Sequence, residues 1–531
     1  MTSRAILEKI KNIKSLNNSW AKKSLFVTVF ILVFLRILSF AWCCDDAYHA
    51  YIMSVNLLAG KGFTPTPGIR VNASTCPLWT LVVTLGMVLW NNPYAIGMIL
   101  NLLFSGIALF MLFKFIYKKD DWFVILFVVA AWLCFSKSYL SYTTSGLENA
   151  QILMLSSFYL AVLFKNEYFS KKELFKIALF EGLIAFTRMD CALILAFTSA
   201  YVFLFRYKKD EKDTAGFSLN KLLQVIPVAI LGLSPFILWE FFSWFYYGSF
   251  IPNTALAKLN TGFPLSDYLI RGVWYFAKTG FFYDPLVLLV PILFIVSVAK
   301  TCKDSRNIKE ICLASGIILY LFYIVYIGGD FMRGRHFLSL FWIALISLVY
   351  LKNPLQRTVS FKWFSVFFVI SGTLFLLAGF LIFMKKVPYG CTDEQQYYYH
   401  STGLSPVLAD YSKNGKITII SENKHLGIQW FHGNKGAYEY RLYDPLLSRL
   451  PAVHDKDWAI GHMQRKIPAG YQKTLNTGIN YIEDKNLAFY YDKLKFILSG
   501  DLLDFERLKE IVKFNSGAYE KYRLQYIKDS K

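Results

Sequence analysis

The chain is poor in the residues that build metal sites and disulfide scaffolds. Its 531 residues include eight cysteines and seven histidines. No Cys-x-x-Cys pair or mixed Cys/His spacing typical of a zinc site occurs. A disulfide among the cysteines that fall in the predicted outer loops and the C-terminal tail is left open, although free thiols are the simpler interpretation: Cys43, Cys44, Cys76 and Cys391. The pattern argues against zinc-finger and redox-dithiol proteins.

Acidic residues are also scarce. The chain has 36 Asp and Glu against 57 Lys and Arg, which gives a formal net charge of +21. Such a balance often indicates nucleic-acid binding. Here, however, many of the cations stand in short loops between apolar runs, where they set topology and contact anionic lipid headgroups. We therefore predict a lipid bilayer, and no nucleic acid, as a partner.

Apolar residues dominate what remains. Hydrophobic residues make up 55% of the chain and aromatic residues 18%, against roughly 45–50% apolar residues in soluble domains. Runs long enough to cross a bilayer recur from Ser24 to Met384, so the sequence predicts an all-α polytopic membrane protein. The basic tail Met1–Lys23 precedes a long apolar run without a small-residue cleavage site, and we expect a retained anchor.

The basic loops fix a topology. If the Lys-rich N-terminal tail and the basic loops lie in the cytoplasm, the chain makes about eleven net crossings. Pro77–Tyr117 is then one net crossing, with a short or re-entrant first piece that ends at Asn91-Asn92-Pro93. The predicted outer segments all carry polar chemistry; they are Cys43–Cys76, Lys137–Ser145, the turn at Arg188, Tyr246–Phe282, Gly328–His336 and the tail Lys385–Lys531.

Two domains follow from this topology. Residues 1–384 form the predicted membrane domain, and residues 385–531 form a small extracytoplasmic α+β domain. The tail loses the long apolar runs and gains turn residues. Its β-branched run Lys416–Ile420 predicts a strand, and Asp504–Phe514 predicts a helix.

Two adjacent carboxylates follow the first apolar run. Asp45 and Asp46 are costly at the mouth of a membrane helix unless they are solvated or do chemistry. Either one could act as the general base that takes a proton from a sugar hydroxyl. His49 stands one helical turn further on, as a candidate substrate contact. The alternative is that Asp45 caps a helix over Ala47–Leu58.

Charged and polar residues stand at four further places on the predicted outer side. Glu148 begins a helix, where it either binds substrate or only favours the helix dipole. Arg188 and Asp190 lie between two apolar helices, as substrate contacts or as a mutual ion pair. The remaining candidate substrate-binding residues lie in two outer loops: Asn253, Lys258, Asp330, Arg333, Arg335 and His336.

Carboxylates beside cations at a membrane surface fit a lipid-linked sugar phosphate. The cations would hold the phosphate and stabilise it as a leaving group, while a carboxylate activates the acceptor hydroxyl. A lipid-linked sugar phosphate, with its prenyl tail in the bilayer, is therefore the predicted small partner. The sequence requires no cofactor or metal, although the paired carboxylates could hold a divalent cation.

An ordered set of motifs resembles a bacterial family of GT-C membrane glycosyltransferases with mycobacterial arabinofuranosyltransferase members. The matching pieces are Asp45-Asp46-Ala-Tyr48, Asn56–Phe63, Pro77-Leu-Trp79, Ser145–Glu148, Arg188-Met-Asp190, Pro252-Asn-Thr254 with Lys258, and Gly328–Met332 with Arg335. The resemblance implies a multispanning GT-C fold, an outer active site, a polyprenyl-phosphate sugar donor and a soluble C-terminal domain. The family's first-loop aspartate would fall on Asp45 or Asp46. This chain departs from the family at Met189, where proline is usual, and at Asn72–Cys76.

The sequence thus predicts a glycosyltransferase of the bacterial inner membrane. Its acceptor would be a cell-envelope glycan, a lipopolysaccharide or a glycoprotein on the outer face. Two alternatives stay open: a transporter or flippase of lipid-linked sugars, and a polymer ligase or oligosaccharide transferase. A transporter needs a polar path, yet the helix interiors are mostly apolar, with exceptions such as Arg36, Glu181 and Glu240. No internal repeat of the kind common in transporters is evident.

Overall fold

A computed structural model describes residues 19–44, 46–209, 213, 216–301, 308–351, 444–454, 458, 460–461 and 463–530. All regular structure in these residues is helical, and strand-like pairing is limited to two isolated bridges. The α-helices are α1 Ser19–Ser39, α2 Ala47–Leu58, α3 Pro77–Leu89, α4 Pro93–Tyr117, α5 Trp122–Phe135, α6 Lys137–Tyr142, α7 Asn149–Lys165, α8 Lys171–Thr187, α9 Leu193–Phe205, α10 Leu219–Tyr247, α11 Asn253–Leu259, α12 Leu265–Ala277, α13 Leu286–Thr301, α14 Ile308–Tyr326, α15 Arg335–Tyr350, α16 Tyr471–Thr477, α17 Lys485–Ser499, α18 Phe505–Asn515 and α19 Glu520–Asp529.

The basic loops gather at one end of the helix bundle. Lys22 at the start of α1 donates to the Tyr117 carbonyl over 2.9 Å, where α4 ends. Lys119 donates to the carbonyl of Tyr350 over 2.9 Å, where α15 ends. Lysine side chains thus join different helices at this end by binding their terminal carbonyls, which have no partner inside the helix. We call it the basic end.

Fewer helices than expected reach the full length of a membrane span. In the described part of the chain, three are long and apolar enough, namely α4, α10 and α14. A bent pair, Leu265–Tyr283 with Leu286–Lys300, would make a fourth. This differs from the expected count of about eleven, which rests on the lengths of apolar runs. The chain is a multi-pass membrane protein.

The difference arises because many of the apolar helices are short. α7 has 17 residues, which cover about 26 Å at the α-helical rise. It nevertheless extends from Glu148 to the basic end, where Lys309 donates to the nearby carbonyl of Asn166 over 2.7 Å. A helix can therefore join both ends of the bundle and still fall below the length of a typical span.

The break predicted in Pro77–Tyr117 is confirmed. α3 ends at Leu89, and α4 begins at Pro93 after an extended residue, Asn92, whose side chain accepts from the Ala95 amide over 3.0 Å. Asparagine as N-cap followed by proline at the first helical position is a common helix start. The first piece, α3, is the short one.

α15 lies at the centre of the bundle. Every residue from His336 to Val349 is buried. The Trp342 indole donates to the Leu153 carbonyl over 3.0 Å and to the Ser157 hydroxyl oxygen over 2.9 Å, both on α7. A helix that is apolar on all sides is enclosed by other helices. Packing around α15 therefore fixes the orientation of its first residues, Arg335 and His336.

The described C-terminal residues are helical and pack on the end of the bundle opposite the basic end. The predicted helix is confirmed as α18, with Asp504 as its N-cap. The predicted strand Lys416–Ile420 lies outside the described residues, and residues 444–530 contain no strand where they are described. Arg507, which is fully buried, donates to the carbonyls of Phe245 and Tyr246 over 2.9 Å each. The domain boundary near residue 385 stays a prediction.

Candidate active site

Seven of the charged residues singled out in the sequence lie together at the end of the bundle opposite the basic end. They come from four separate parts of the chain and are linked by hydrogen bonds or ion pairs. We call this group the ion cluster: Asp46, Glu148, Arg188, Asp190, Asp330, Arg335 and His336. Asp45 lies outside the described residues.

Glu148 is positioned by a tightly bound turn. The Asn101 side chain on α4 donates to the Leu147 carbonyl over 3.0 Å and accepts from the Gly146 amide over 3.1 Å. The Trp79 indole also donates to the Gly146 carbonyl over 2.9 Å. Glu148 is the N-cap of α7, yet its side chain makes no capping bond. The buried carboxylate instead contacts two guanidinium groups.

Arg188 ends α8 in an extended conformation and begins a short 3₁₀ helix, Met189–Ala192. Its Nε and Nη2 donate to the two oxygens of Asp190 over 2.9 and 3.0 Å, a bidentate pair. Nη1 donates to Glu148 over 3.2 Å, and Nη2 also donates to His336 Nδ1 over 2.9 Å. Most of the donor capacity of Arg188 is therefore used within the cluster.

Arg335 joins Glu148 to the outer carboxylate. Its Nη2 donates to Glu148 over 2.9 Å, and its Nη1 lies 3.6 Å from Asp46 Oδ2. Its Nε is buried and has no hydrogen-bond partner within the described ranges. Because a buried N–H group is normally paired, this donor is available to a bound oxygen.

His336 contacts Arg188 through one ring nitrogen and Asp330 through the other. Nδ1 accepts from Arg188, as described above, so the ring proton is assigned to Nε2, which lies 3.4 Å from Asp330 Oδ2. Tyr320 on α14 donates its hydroxyl to Asp190 Oδ2 over 2.9 Å. The ring thus holds Asp330, and the phenol holds Asp190.

The cluster keeps its loop carboxylates ionised. Burial alone would raise the pKa of Glu148, but Arg335 and Arg188 hold that pKa below its usual value. Burial likewise opposes ionisation of Asp330, while His336, Lys258 and the two arginines lower its pKa. Opposite charges at these distances favour the charged form.

Asp46 is the most exposed carboxylate of the cluster. Its side chain is 29% exposed, against 1% for Glu148 and 14% for Asp190. It is the N-cap of the predicted helix α2, which is confirmed at Ala47–Leu58, but it makes no side-chain capping bond. His49 Nε2 lies 3.8 Å from Asp46 Oδ1, one turn along α2.

Three further candidate residues are not members of the ion cluster. Lys258 is close enough to Asp330 to lower its pKa, and buried Arg333 lies with its Cζ 5.9 Å from the centre of the Tyr283 ring. Asn253 instead faces the C-terminal segment. Its oxygen accepts from Ser448 over 2.8 Å.

Neither Tyr320 nor Asn101 was predicted from the sequence. Both stand inside apolar runs, where one hydroxyl or amide group is common. The sequence holds one usable signal for them: a polar group inside a membrane protein needs a hydrogen-bond partner there. As to metals, no set of three or more His, Cys, Asp or Glu side chains is arranged to hold an ion in the described ranges.

No protein-family model and no solved structure matches the chain. Among curated proteins, it is similar to the terminal β-(1→2)-arabinofuranosyltransferase of Mycobacterium tuberculosis, with 24% identity over 435 residues. The match covers 70% of this chain and 64% of the relative, so the chain spans less than two thirds of that relative's length. The resemblance predicted from the motifs is thereby confirmed, as a distant relationship to a mycobacterial arabinofuranosyltransferase.

Proposed function

We propose that the chain is a GT-C glycosyltransferase of the bacterial inner membrane. It transfers a sugar from a polyprenyl-phosphate donor to a hydroxyl of a cell-envelope glycan, a lipopolysaccharide or a glycoprotein on the outer face. The observation that carries the proposal is the half-exposed Asp46 carboxylate, 3.6 Å from the guanidinium of buried Arg335. Sugar transfer from a phosphate requires a base that takes the acceptor proton and a cation that stabilises the leaving phosphate. Asp46 and Arg335 provide this pair.

In the proposed reaction, the acceptor oxygen attacks the anomeric carbon of the donor. Its proton passes to the Asp46 carboxylate, while the bond between the anomeric carbon and the phosphate oxygen breaks. Polyprenyl phosphate leaves with the bonding electrons, and the positive groups stabilise its growing charge. His49, 3.8 Å from Asp46, is placed to orient the carboxylate. Asp45 remains an alternative base.

The contacts of the arginines divide their proposed roles. Arg188 already binds Asp190 through two donors and Glu148 through a third, so we assign it to positioning. Arg335 retains a buried Nε without a partner in the described part of the chain. We assign phosphate binding to Arg335, with Arg333 and Lys258 at its periphery.

The transporter alternative finds less support in the bundle. Several buried hydroxyls in the helices donate to carbonyls of their own helix, as Ser157 does to Leu153 over 2.8 Å and Ser347 to Ile343 over 2.7 Å. Hydroxyls used in this way do not line a polar path. No described contact separates a single-sugar transferase from a polymer ligase or an oligosaccharide transferase.

The test is complementation followed by mass spectrometry. Envelope glycans and polyprenyl phosphates are compared between cells with and without the gene, rescued by wild type, Asp46→Asn or Asp492→Asn. Asp492 is an exposed carboxylate on α17 and is the matched control. We expect a glycan that lacks one sugar in the deleted strain, rescued by wild type and Asp492→Asn alone.

Two results would contradict the proposal in different ways. Full rescue by Asp46→Asn, with equal protein in the membrane, would exclude Asp46 as the base. A glycan profile that is unchanged by deletion, together with altered polyprenyl-phosphate sugars on one side of the membrane, would favour transport.

A further inference from the structure

α12 exposes a row of large apolar side chains. They recur at helical spacing on one side of the helix and continue into the π-helical turn Lys278–Tyr283: Leu265, Leu269, Ile270, Val273, Trp274, Phe281 and Phe282. Phe281 is 70% exposed and Val273 is 59% exposed. An apolar row of this length on a helix without long apolar runs is typical of a helix that lies in a membrane interface.

The direction of α12 fits such a position. The segment Leu265–Tyr283 is bent by 101° from Leu286–Lys300, an apolar segment that ends at a basic loop. If that second segment crosses the bilayer, the first one runs nearly parallel to the membrane plane. α12 also crosses the end of α14, because a Cβ on Gly272 would lie only 2.2 Å from the Val325 carbonyl oxygen.

The other sides of α12 are covered by the protein. The Tyr275 hydroxyl donates to the Met332 carbonyl over 3.0 Å, in the loop that carries Asp330. On the polar side, Asp267 accepts from His454 over 2.7 Å, and Arg271 lies 3.8 Å from the centre of the Trp458 ring. α12 thus has protein on its inner face, polar contacts above it and an apolar face outward.

We propose that the apolar face of α12 docks on the acyl chains of the outer leaflet. The occupant is the lipid bilayer, because the face is continuous with the apolar segment Leu286–Lys300 and the helix lies across the end of α14, a candidate span. Through Tyr275, this contact holds the loop with Asp330 at a set height above the acyl chains. The inference concerns membrane docking and holds whether or not the chain transfers sugar.

A photocrosslinking amino acid tests the proposal in the full-length protein in its native membrane. Benzoyl-phenylalanine replaces Ile270 or Phe281, which are both exposed. Leu231, 63% exposed on α10, is the positive control for contact with lipid. Phe505, 67% exposed on α18, is the control on the C-terminal segment. Crosslinked protein is analysed by mass spectrometry for lipid adducts.

We expect lipid adducts at Ile270 and Phe281 at least about tenfold above those at Phe505 and comparable with Leu231, because interfacial helices bury their apolar face among acyl chains. Adducts with phospholipid and with polyprenyl lipid both support the proposal. Adducts with a second protein chain at both positions, or lipid adducts at Leu231 alone, would overturn it.

Discussion

Glu148 binds two guanidinium groups through a carboxylate that is almost completely buried. Arg188 and Arg335 reach the same oxygen of its carboxylate from different helices, at 3.2 and 2.9 Å. Removing one member of a buried ion pair leaves the others without compensation, which costs more than the pair itself contributes. Glu148 therefore fixes the orientation of both arginines.

Replacing Glu148 by glutamine keeps the shape of the side chain and removes its charge. We expect the free energy of unfolding to fall by about 3 kcal/mol and sugar transfer to be largely lost, because Arg335 is no longer held beside Asp46. Thermal unfolding in detergent measures the first effect and glycan mass spectrometry the second. Glu506→Gln, an exposed side chain on α18, is the control and should change neither.

The stability that Glu148 provides depends on pH in one direction. Its pKa in the folded protein is lowered, so its contribution is complete above the ordinary glutamate pKa and is lost as pH falls through the lowered value. The difference in unfolding temperature between wild type and Glu148→Gln should stay constant from about pH 8 to about pH 5 and shrink below about pH 4. A difference that grows on acidification would contradict the assigned ion pairs.

Among the structural elements, the loop before α15 depends most on glycine. Gly329 has a positive φ of 76°, and a Cβ there would lie 2.5 Å from the Tyr275 side chain. Gly60 has a similar φ of 69° but open space around it. Comparing alanine substitutions at Gly329 and Gly60 therefore separates the cost of the left-handed backbone from the cost of the contact with Tyr275.

Gly329→Ala should therefore destabilise the protein more than Gly60→Ala does. We expect Gly60→Ala to cost about 1 kcal/mol from the left-handed backbone alone, and Gly329→Ala to cost about 3 kcal/mol. Only Gly329→Ala should reduce transfer, because it displaces the adjacent Asp330. Equal losses of unfolding temperature in the two variants would show that the Tyr275 contact is unimportant.

The C-terminal segment is expected to position the helix that carries Lys258. Ser448 is fully buried and donates to Asn253 at the start of α11. Ser448→Ala removes one hydrogen bond, which is worth about 1 kcal/mol. We expect KM for a polyprenyl-phosphate sugar to rise with little change in kcat, whereas Ser516→Ala, an exposed serine, changes neither. A loss of kcat alone would assign Ser448 another role.

The sequence predicted which helix ends carry the charged residues of the ion cluster, but not which of these residues pair across different helices. Charges such as Glu148 and Arg335 stand out because they interrupt apolar runs. They are 187 positions apart along the chain, and their pairing depends on the packing of α7 against α15. Asn253 was predicted to bind substrate from a polar motif, yet its side chain faces Ser448. Spacing along the chain carries no information about such long-range partners.

For the whole molecule, the grouping of loops at two ends of the bundle follows the predicted topology. Basic residues such as Lys119 and Lys309 meet at one end, as the charge rule requires. Three or four helices in the described ranges have the length of a full span; the count of about eleven crossings stays a prediction, because a short enclosed helix such as α7 also joins both ends of the bundle. The predicted strand and the linker after α15 lie outside the described residues.

Reporter fusions test the orientation of the whole chain. Alkaline phosphatase needs disulfides and is active only outside the cytoplasm. We expect an active enzyme when it is fused after Ser530 and an inactive one when it is fused after Lys119. Green fluorescent protein at the same two positions provides the converse control. Activity after Lys119 would reverse the orientation of the bundle.

The central helix α15 sets how deep the site lies. Its 16 residues cover about 24 Å, against a hydrocarbon core of roughly 30 Å. Since protein surrounds it from His336 to Val349, it has no contact with lipid that would require it to match the bilayer. With its last turn at the inner boundary, its first residues would stand below the level of the outer headgroups. At that depth a phosphate on a long flexible chain can arrive sideways from the leaflet, whereas a nucleotide sugar in solution would first have to pass the headgroups.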